Sequence, residues 1–178
     1  MDGKQKTFNS LIIKYLNLVL NLNFDLILNL NLNLSMFTLL IDFGTPAYDD
    51  TVKLRDAILR KPLGLEFTPE YLAAEYNMMH LACYNEQHKL LGCLILSPQE
   101  NGEIKMRQVA VREDCQRKGI GQFMVADSET IAREKGFKKM TMHARDTAVP
   151  FYQKLNYKKK GRAFTEVTIK HYKMEKKL

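Results

Sequence analysis

The spacing of hydrophobic positions changes several times along the chain, and each spacing predicts a different kind of element. Short apolar runs bounded by turn residues predict strands, and apolar positions at helical spacing predict helices. The strands are predicted at 36–44, 78–85, 88–98, 103–112 and 137–145, with a closing hairpin at 157–176; the helices are predicted at 47–60, 68–77, 123–135 and 146–156. This order predicts a single α/β domain built around one mixed sheet.

Two of these helices have recognisable start residues. The first has Asp49 or Asp50 available near its N-terminus, and its apolar side is expected to include Val52, Leu54, Ile58 and Leu59. The second has Thr68 as the expected N-cap and proline in its first turn.

The first 35 residues differ in composition from the rest. Residues 16–35 alternate leucine and asparagine with little other variety, a pattern too repetitive to fix one strand register. The asparagines and Lys14 interrupt any apolar core of a signal peptide or a membrane helix. We therefore expect residues 1–35 to be a low-complexity extension outside the core, and residues 36–178 to form one domain.

Composition narrows the class of partner. Lysine and arginine number 27 against 20 aspartates and glutamates, which favours an anionic partner such as a nucleotide cofactor, a nucleic acid or a membrane surface. The three cysteines contain no Cys-x-x-Cys pair, and the four histidines show no ligand spacing. The sequence therefore predicts a cytoplasmic protein with no disulfide framework and no metal site.

A glycine-rich segment, residues 116–122, lies between a predicted strand and a predicted helix. Glycines at Gly119 and Gly121 permit a sharp turn and close approach of a ligand, and the helix start favours an anion. A P-loop would require Gly-Lys-Ser/Thr, which is missing, and a Rossmann fingerprint would require a small residue where Met124 stands. An ordinary strand-to-helix turn remains an alternative on these residues alone.

The sequence on both sides of this segment gives further evidence about its function. Gln116-x-x-Gly119-x-Gly121 after "VAV", followed by a helix, a strand and "AVPFYQKLNY", resembles the GNAT acetyltransferase superfamily over nearly all of 36–178. Arg145 and Asn156 depart from the asparagine and glycine that are usual there, although the spacing is intact. The resemblance implies the GNAT acyl-CoA N-acyltransferase fold, with two parallel strands, 105–111 and 138–145, that splay apart around acetyl-CoA.

The resemblance also implies roles for individual residues. The pantetheine arm and acetyl carbonyl would lie on Val109, Ala110 and Val111, with a backbone N–H near Val109 as oxyanion donor. The pyrophosphate would lie on Gln116, Arg117, Lys118, Gly119, Ile120, Gly121 and Gln122. Tyr152 is the expected acid for the departing thiolate, with a buried core tyrosine as the alternative.

The general base is not identified by the sequence. Relatives carry an acid or histidine before the loop, where this chain has Lys105, Arg107 and Gln108. His143 is the candidate that we retain, against the alternative of a core histidine; Glu103, water, Glu166 and His171 remain open, and Cys115 is disfavoured as a nucleophile. Arg60, Arg107 and Arg145 are the predicted substrate-binding residues, since they would favour an amine that carries an anion.

Three hypotheses follow. The leading one is an acetyl-CoA-dependent N-acetyltransferase that acts on a small-molecule primary amine by direct attack in a ternary complex, with no nucleic-acid or membrane partner and with a homodimer left open. The second is a non-catalytic acyl-CoA sensor on the same fold. The third is a basic nucleic-acid-binding domain, for which the excess charge is the only support.

Overall fold

A computed structural model of the protein describes residues 36–178, so the interpretation of residues 1–35 lies outside the described residues. Seven strands form one sheet in the order β1-β2-β3-β4-β5-β7-β6. The strands are β1 Met36–Ile41, β2 Met79–Asn85, β3 Leu90–Pro98, β4 Glu103–Val111, β5 Lys139–Arg145, β6 Lys158–Glu166 and β7 Ile169–Lys177. The helices are α1 Pro46–Arg55, α2 Pro69–Ala73, α3 Ile120–Glu134 and α4 Val149–Lys154. The predicted fold class, a mixed sheet with flanking helices, is confirmed.

Helices α1 and α3 pack on opposite faces of the sheet, because successive residues of a strand face opposite sides. The Cys93 thiol of β3 lies 3.8 Å from the carbonyl oxygen of Thr51 in α1. Its neighbour Gly92 faces α3, where a Cβ would lie 2.8 Å from the Met124 Cε. Only glycine therefore lets α3 approach β3 this closely. Strand β3 is therefore buried on both faces between the two helices.

The first helix corrects two expectations from the sequence. Thr45, rather than Asp49 or Asp50, caps α1 by accepting a hydrogen bond from the Tyr48 amide, and the α-helix ends at Arg55. A π-helical turn, Asp56–Arg60, follows in place of a continuous helix. The buried residues of α1 are Tyr48, Thr51 and Arg55, whereas the predicted apolar residues Val52, Leu54, Ile58 and Leu59 are only partly covered. The polar side of α1 faces inward because it meets a buried carboxylate, described below.

Other element boundaries differ slightly from the predicted ones. Strand β1 ends at Ile41, three residues before Gly44, and α2 ends at Ala73. Thr68 caps α2 as expected, by accepting a hydrogen bond from the Tyr71 amide at 3.2 Å. Among residues 36–178, no helix combines the length and the apolar character that crossing a membrane would require.

The two central parallel strands separate part-way along their length. Strand β4 pairs with β5 from Glu103 opposite Lys139 to Met106 opposite Met142, and the pairing stops there. At the same level, Gln108 and Val109 lie opposite the single residue Leu94 of β3, which is a β-bulge. Strand β5 remains paired with β7 as far as Arg145 opposite His171. The backbone of β4 beyond Met106 therefore faces a gap, as the resemblance implied.

Candidate active site

The gap between β4 and β5 opens into a cavity of about 180 Å³. Four parts of the chain line it: the ends of β4 and β5, the segment from Leu59 to Tyr71, the start of α4, and the β6–β7 hairpin. Because side chains two residues apart on a strand share a face, Lys105 and Arg107 of β4 lie on the same side as His143 and Arg145 of β5. The fold thus brings together four polar residues that the sequence analysis discussed as site candidates.

The bulge at Gln108 is fixed by a buried network. Gln108 has a left-handed backbone, with φ of 50°, which is costly for a residue other than glycine. Its side-chain amide donates to Glu75 Oε1 at 2.8 Å and accepts from Arg55 Nη1 at 2.6 Å. Arg55 and Glu75 form a two-bond ion pair, at 2.8 and 3.0 Å, in which both side chains are almost fully buried. The Tyr48 hydroxyl donates to the same carboxylate at 2.9 Å.

The charge states in this network are complementary. Burial alone would raise the pKa of Glu75, but the hydrogen bonds and charge of Arg55 hold the pKa of that carboxyl below its usual value. Burial, followed by the Glu75 charge, raises the pKa of the Tyr48 phenol to about 12. Glu75 is therefore ionised and Tyr48 neutral at neutral pH. Neither Arg55 nor Glu75 belongs to a recognisable sequence motif, so their ion pair is not predicted from the sequence.

Tyr152 lies in α4 and its ring is 7% exposed. The ring packs edge-on against Phe151 and Tyr157, with centroids 4.9 and 5.9 Å away. Burial raises the pKa of the Tyr152 phenol, so the group keeps its proton over the whole physiological range. Its hydroxyl has no hydrogen-bond partner within residues 36–178, although it borders the cavity. The phenol is therefore available as a hydrogen-bond donor to a bound molecule.

The His143 ring lies between a carboxylate, Glu166, and an amine, Lys105. Its Nδ1 lies 2.6 Å from Glu166 Oε2 in β6, and the Lys105 Nζ lies 3.3 Å from its Nε2. Burial lowers the pKa of His143; the hydrogen bond to Glu166 raises it, and the Lys105 charge lowers it again, so that it stays below 6.5. Burial likewise lowers the pKa of Lys105. A neutral imidazole with Nδ1–H directed at Glu166 has Nε2 as its proton acceptor, on the side where Lys105 lies.

The glycine-rich segment leads from the end of β4 into α3. Arg117 and Gly119 both have left-handed backbones, with φ of 61° and 81°, and α3 begins at the next residue, Ile120. The Gln116 side chain donates to the Val111 carbonyl at 3.1 Å, which ties the segment to β4. A Cβ on Gly121 would lie 3.4 Å from the Phe151 ring, so α3 starts in close contact with α4. The first amides of α3 have no partner within the helix and are open to an anion.

A family model described as "Acetyltransferase (GNAT) domain" matches residues 63–178. The chain belongs to the GNAT acetyltransferase family. It is 31% identical over 129 residues to the uncharacterized N-acetyltransferase CgeE of Bacillus subtilis (strain 168), a match that covers 69% of this chain and 47% of that protein. The chain thus spans about half the length of this curated relative.

Solved structures share the fold. A Lactobacillus plantarum protein assigned as an N-acetyltransferase has a TM-score of 0.72 at 21% identity, covering 81% of this chain and 99% of that one. A GNAT family acetyltransferase from Elizabethkingia anophelis, solved with acetyl-CoA bound, has a TM-score of 0.63 at 18% identity, covering 81% and 99%. These similarities establish the acyl-CoA N-acyltransferase fold for residues 36–178.

The residues at the GNAT positions fit an acyl-CoA. From Arg107 to Val111, β4 pairs with β3 but not with β5, so its other edge leaves hydrogen-bonding groups facing the gap, where an amide-containing pantetheine arm would pair with them. At the end of this strand, the exposed loop 116–119 and the first turn of α3 supply backbone amides, and Arg117 and Lys118 supply positive charge. Lys118 is partly engaged, since its Nζ donates to the Asp114 carbonyl at 2.9 Å.

The remaining candidates occupy less suitable positions in this GNAT domain. Glu103 pairs with Lys139 at the far end of β4, and the buried His171 places Nδ1 2.9 Å from the Ile169 carbonyl of its own strand. Cys115 is buried beside Asp114, and nothing in the described part of the chain pairs it with a histidine. Within the same residues, no group of three or more His, Cys, Asp or Glu side chains is placed to hold a metal ion.

Proposed function

We propose that this chain transfers the acetyl group of acetyl-CoA to a primary amine by direct attack in a ternary complex. One observation carries the proposal: β4 and β5 part at the Gln108 bulge, and both Tyr152 and the His143–Glu166 pair border the resulting cavity. Acetyl-CoA, bound at the gap, would supply an activated acetyl thioester. The chain must then accept a proton from the amine, stabilise charge on the carbonyl oxygen and assist release of the thiol.

His143 is the proposed base. Its pKa is held below 6.5, so it is neutral at pH 7 and Nε2 is unprotonated when Nδ1–H donates to Glu166. Glu166 fixes the ring and its tautomer, and its charge stabilises the imidazolium that forms. Lys105, 3.3 Å from Nε2, disfavours a doubly protonated ring before the amine arrives. Glu166 therefore raises the pKa of the imidazole, and Lys105 lowers it.

The Val109 amide is the proposed oxyanion donor. Gln108 and Val109 together oppose one residue of β3, so one of the two is left out of the ladder, and the left-handed Gln108 backbone reorients the following peptide. A fixed backbone N–H of this kind is worth about 3 kcal/mol in other acyl-transfer enzymes. Tyr152 is the proposed donor to the departing sulfur, since its hydroxyl keeps its proton and has no hydrogen-bond partner among residues 36–178.

The experiment is thiol release from acetyl-CoA over a panel of primary amines, with substitution of His143 and a matched control. His143→Gln should lower kcat by about 100-fold or more, because general-base catalysis contributes that much. His88→Gln, in an exposed turn, should leave kcat unchanged. If acetyl-CoA stabilises the wild-type protein but no amine causes thiol release, the enzyme hypothesis fails and the acyl-CoA sensor hypothesis takes its place. Full turnover in Tyr152→Phe would remove Tyr152 from the mechanism.

A further inference from the structure

Three guanidinium groups converge on the side of the cavity that faces α1. Arg107 comes from β4, Arg145 from the end of β5, and Arg60 from the π-helical turn after α1. The Arg145 Nη2 donates to the carbonyl of Leu59 at 3.0 Å, which brings Arg145 beside the residue that precedes Arg60. We call Arg60, Arg107 and Arg145 the arginine cluster.

Aromatic side chains, rather than acids, hold Arg60 and Arg107, and the Leu59 carbonyl holds Arg145. The Arg60 guanidinium lies 4.6 Å from the Phe67 ring centre and 5.0 Å from that of Tyr71. Arg107 donates to the Tyr71 hydroxyl at 3.0 Å. A guanidinium has five N–H donors, so each member keeps donors that these contacts do not use. The aromatic rings fix the positions of the charges without neutralising them.

The arginine cluster has no negative partner within the described residues. None of its three guanidinium groups has a carboxylate oxygen within 4.0 Å, whereas Arg55, Arg112 and Arg133 each have one. Glu166, the acid that borders the same cavity, is engaged with His143 at 2.6 Å. Lys105 adds a further positive group beside it. Residues 36–178 therefore do not balance the positive charge of this part of the cavity.

Leaving these charges together is unfavourable for the free protein. All three members of the arginine cluster are partly buried, which removes some of their hydration. Burial first, and the charge of Arg60 second, lower the pKa of Arg145. An anion placed among the three groups would relieve this repulsion and use the free N–H donors, and arginine pairs well with planar carboxylates and with phosphates.

We infer that the acceptor amine carries an anionic group, a carboxylate or a phosphate, which the arginine cluster binds while the amine faces His143. The inference rests on the proposed function and names the substrate class of the same site. The pyrophosphate of the cofactor does not account for the arginine cluster, because all three arginines line the cavity and no residue of the proposed pyrophosphate loop, 116–122, lines it.

The test measures equilibrium binding, which does not depend on turnover. N-acetylated alanine, leucine, phenylalanine, aspartate and glutamate are titrated by calorimetry into the CoA-saturated protein, each beside its neutral carboxamide. N-acetyl-O-phosphoethanolamine and N-acetylethanolamine form the phosphate arm. At least one anionic compound should bind roughly tenfold to 100-fold more tightly than its neutral partner, the gain typical of charge-assisted hydrogen bonds. The arm that shows the gain distinguishes carboxylate from phosphate.

Variants assign the preference to the arginine cluster. Arg145→Gln and Arg107→Gln should each remove most of the anion preference, whereas Arg162→Gln, exposed in β6, should retain it. The affinity of CoA alone should be the same in all four proteins; a loss in Arg145→Gln would assign that residue to the cofactor and overturn the inference. Unfolding midpoints identify a variant that fails to fold, and the wild-type comparison stands without the variants.

The outcomes separate the inference from the proposed function. Equal binding of charged and neutral partners, no binding in any pair, or acetylation confined to uncharged amines or polyamines would contradict the inference. The last of these would leave N-acetyl transfer in place. An anion preference in a protein that releases no thiol with any amine would instead contradict the proposed function and retain the anion site.

Discussion

Arg55 and Arg145 lie in two neighbouring regions that differ in the charge placed beside the guanidinium group. Arg55 is fully buried and pairs with Glu75 through two hydrogen bonds, and Gln108 and Tyr48 complete the network. Arg145 is partly buried, has Arg60 as a charged neighbour, and donates to one backbone carbonyl. Within residues 36–178, the first region contains its own counter-charge and the second does not. The difference indicates that the first maintains structure and that the second is available to a ligand.

The β-bulge at Gln108 lies where these two regions meet. A residue with positive φ needs surroundings that hold it there, and such strain is common at functional sites. Gln108 is held by the closed network on one side of the bulge, and the neighbouring Arg107 belongs to the open arginine cluster. Rigid support and the proposed ligand recognition thus fall on consecutive residues of β4.

The largest expected effect comes from opening the closed network. Glu75→Gln leaves the buried Arg55 charge without its carboxylate, and such a loss costs about 3–5 kcal/mol of unfolding free energy. The measurement is denaturant unfolding followed by circular dichroism. Exposed Glu86→Gln is the matched control and should change stability little. The double variant Arg55→Met/Glu75→Leu should be less destabilised than Glu75→Gln; equal or greater loss in the double variant would show that charge is not the cause.

A smaller effect is expected where the network meets the bulge. Gln108→Ala removes the hydrogen bonds to Arg55 and Glu75 but keeps an unfavourable positive φ, at a cost of about 1–2 kcal/mol of stability. Because the following amide is the proposed oxyanion donor, kcat should fall more than the KM for acetyl-CoA rises. Gln153→Ala, exposed on α4, serves as the control. A stability loss with unchanged kcat would confine Gln108 to a structural role.

The pH profile tests the proton acceptor of the open region. The pKa of His143 lies below 6.5, and the base is active when neutral, so log kcat should rise with pH through an acid limb below 6.5 and then level off. The Glu166 hydrogen bond and charge raise that pKa. Glu166→Gln should therefore move the acid limb to lower pH, by about one unit or less, and lower the plateau. Glu86→Gln should keep the wild-type profile, and an acid limb that moves upward in Glu166→Gln would contradict the assignment.

Much of the fold could be predicted from the chain, for a definite reason. Apolar runs in β2 to β5 are bounded by turn residues, and Thr68 and the glycine segment mark helix starts, so local patterns specify these elements. Helix α1 was the exception: its buried face holds Thr51 and Arg55, and a polar face is predicted as exposed unless its partner is known. That partner, Glu75, lies 20 residues away.

In the candidate site, too, residues in contiguous motifs could be predicted from the sequence, and contacts between distant elements could not. The pyrophosphate loop and Tyr152 belong to contiguous motifs, which the sequence shows directly, and their roles stay predictions. The link between His143 and Glu166 spans 23 residues and depends on the register of three strands, so spacing alone does not reveal it. The same holds for Gln108, whose partners come from both α1 and the turn after α2. Contacts between elements require the fold.

The smallest expected effect is on stability in the open region. Arg145→Gln removes one hydrogen bond to the Leu59 carbonyl, worth about 1 kcal/mol, and also removes the repulsion from Arg60. Since these changes oppose each other, the unfolding free energy should stay within about 1 kcal/mol of the wild type, far from the loss in Glu75→Gln. Raising salt should stabilise the wild type slightly more than the variant, because screening weakens a repulsion that only the wild type has. A loss as large as that of Glu75→Gln would mean that Arg145 supports the fold, as Arg55 does, and the distinction between the two arginine regions would fail.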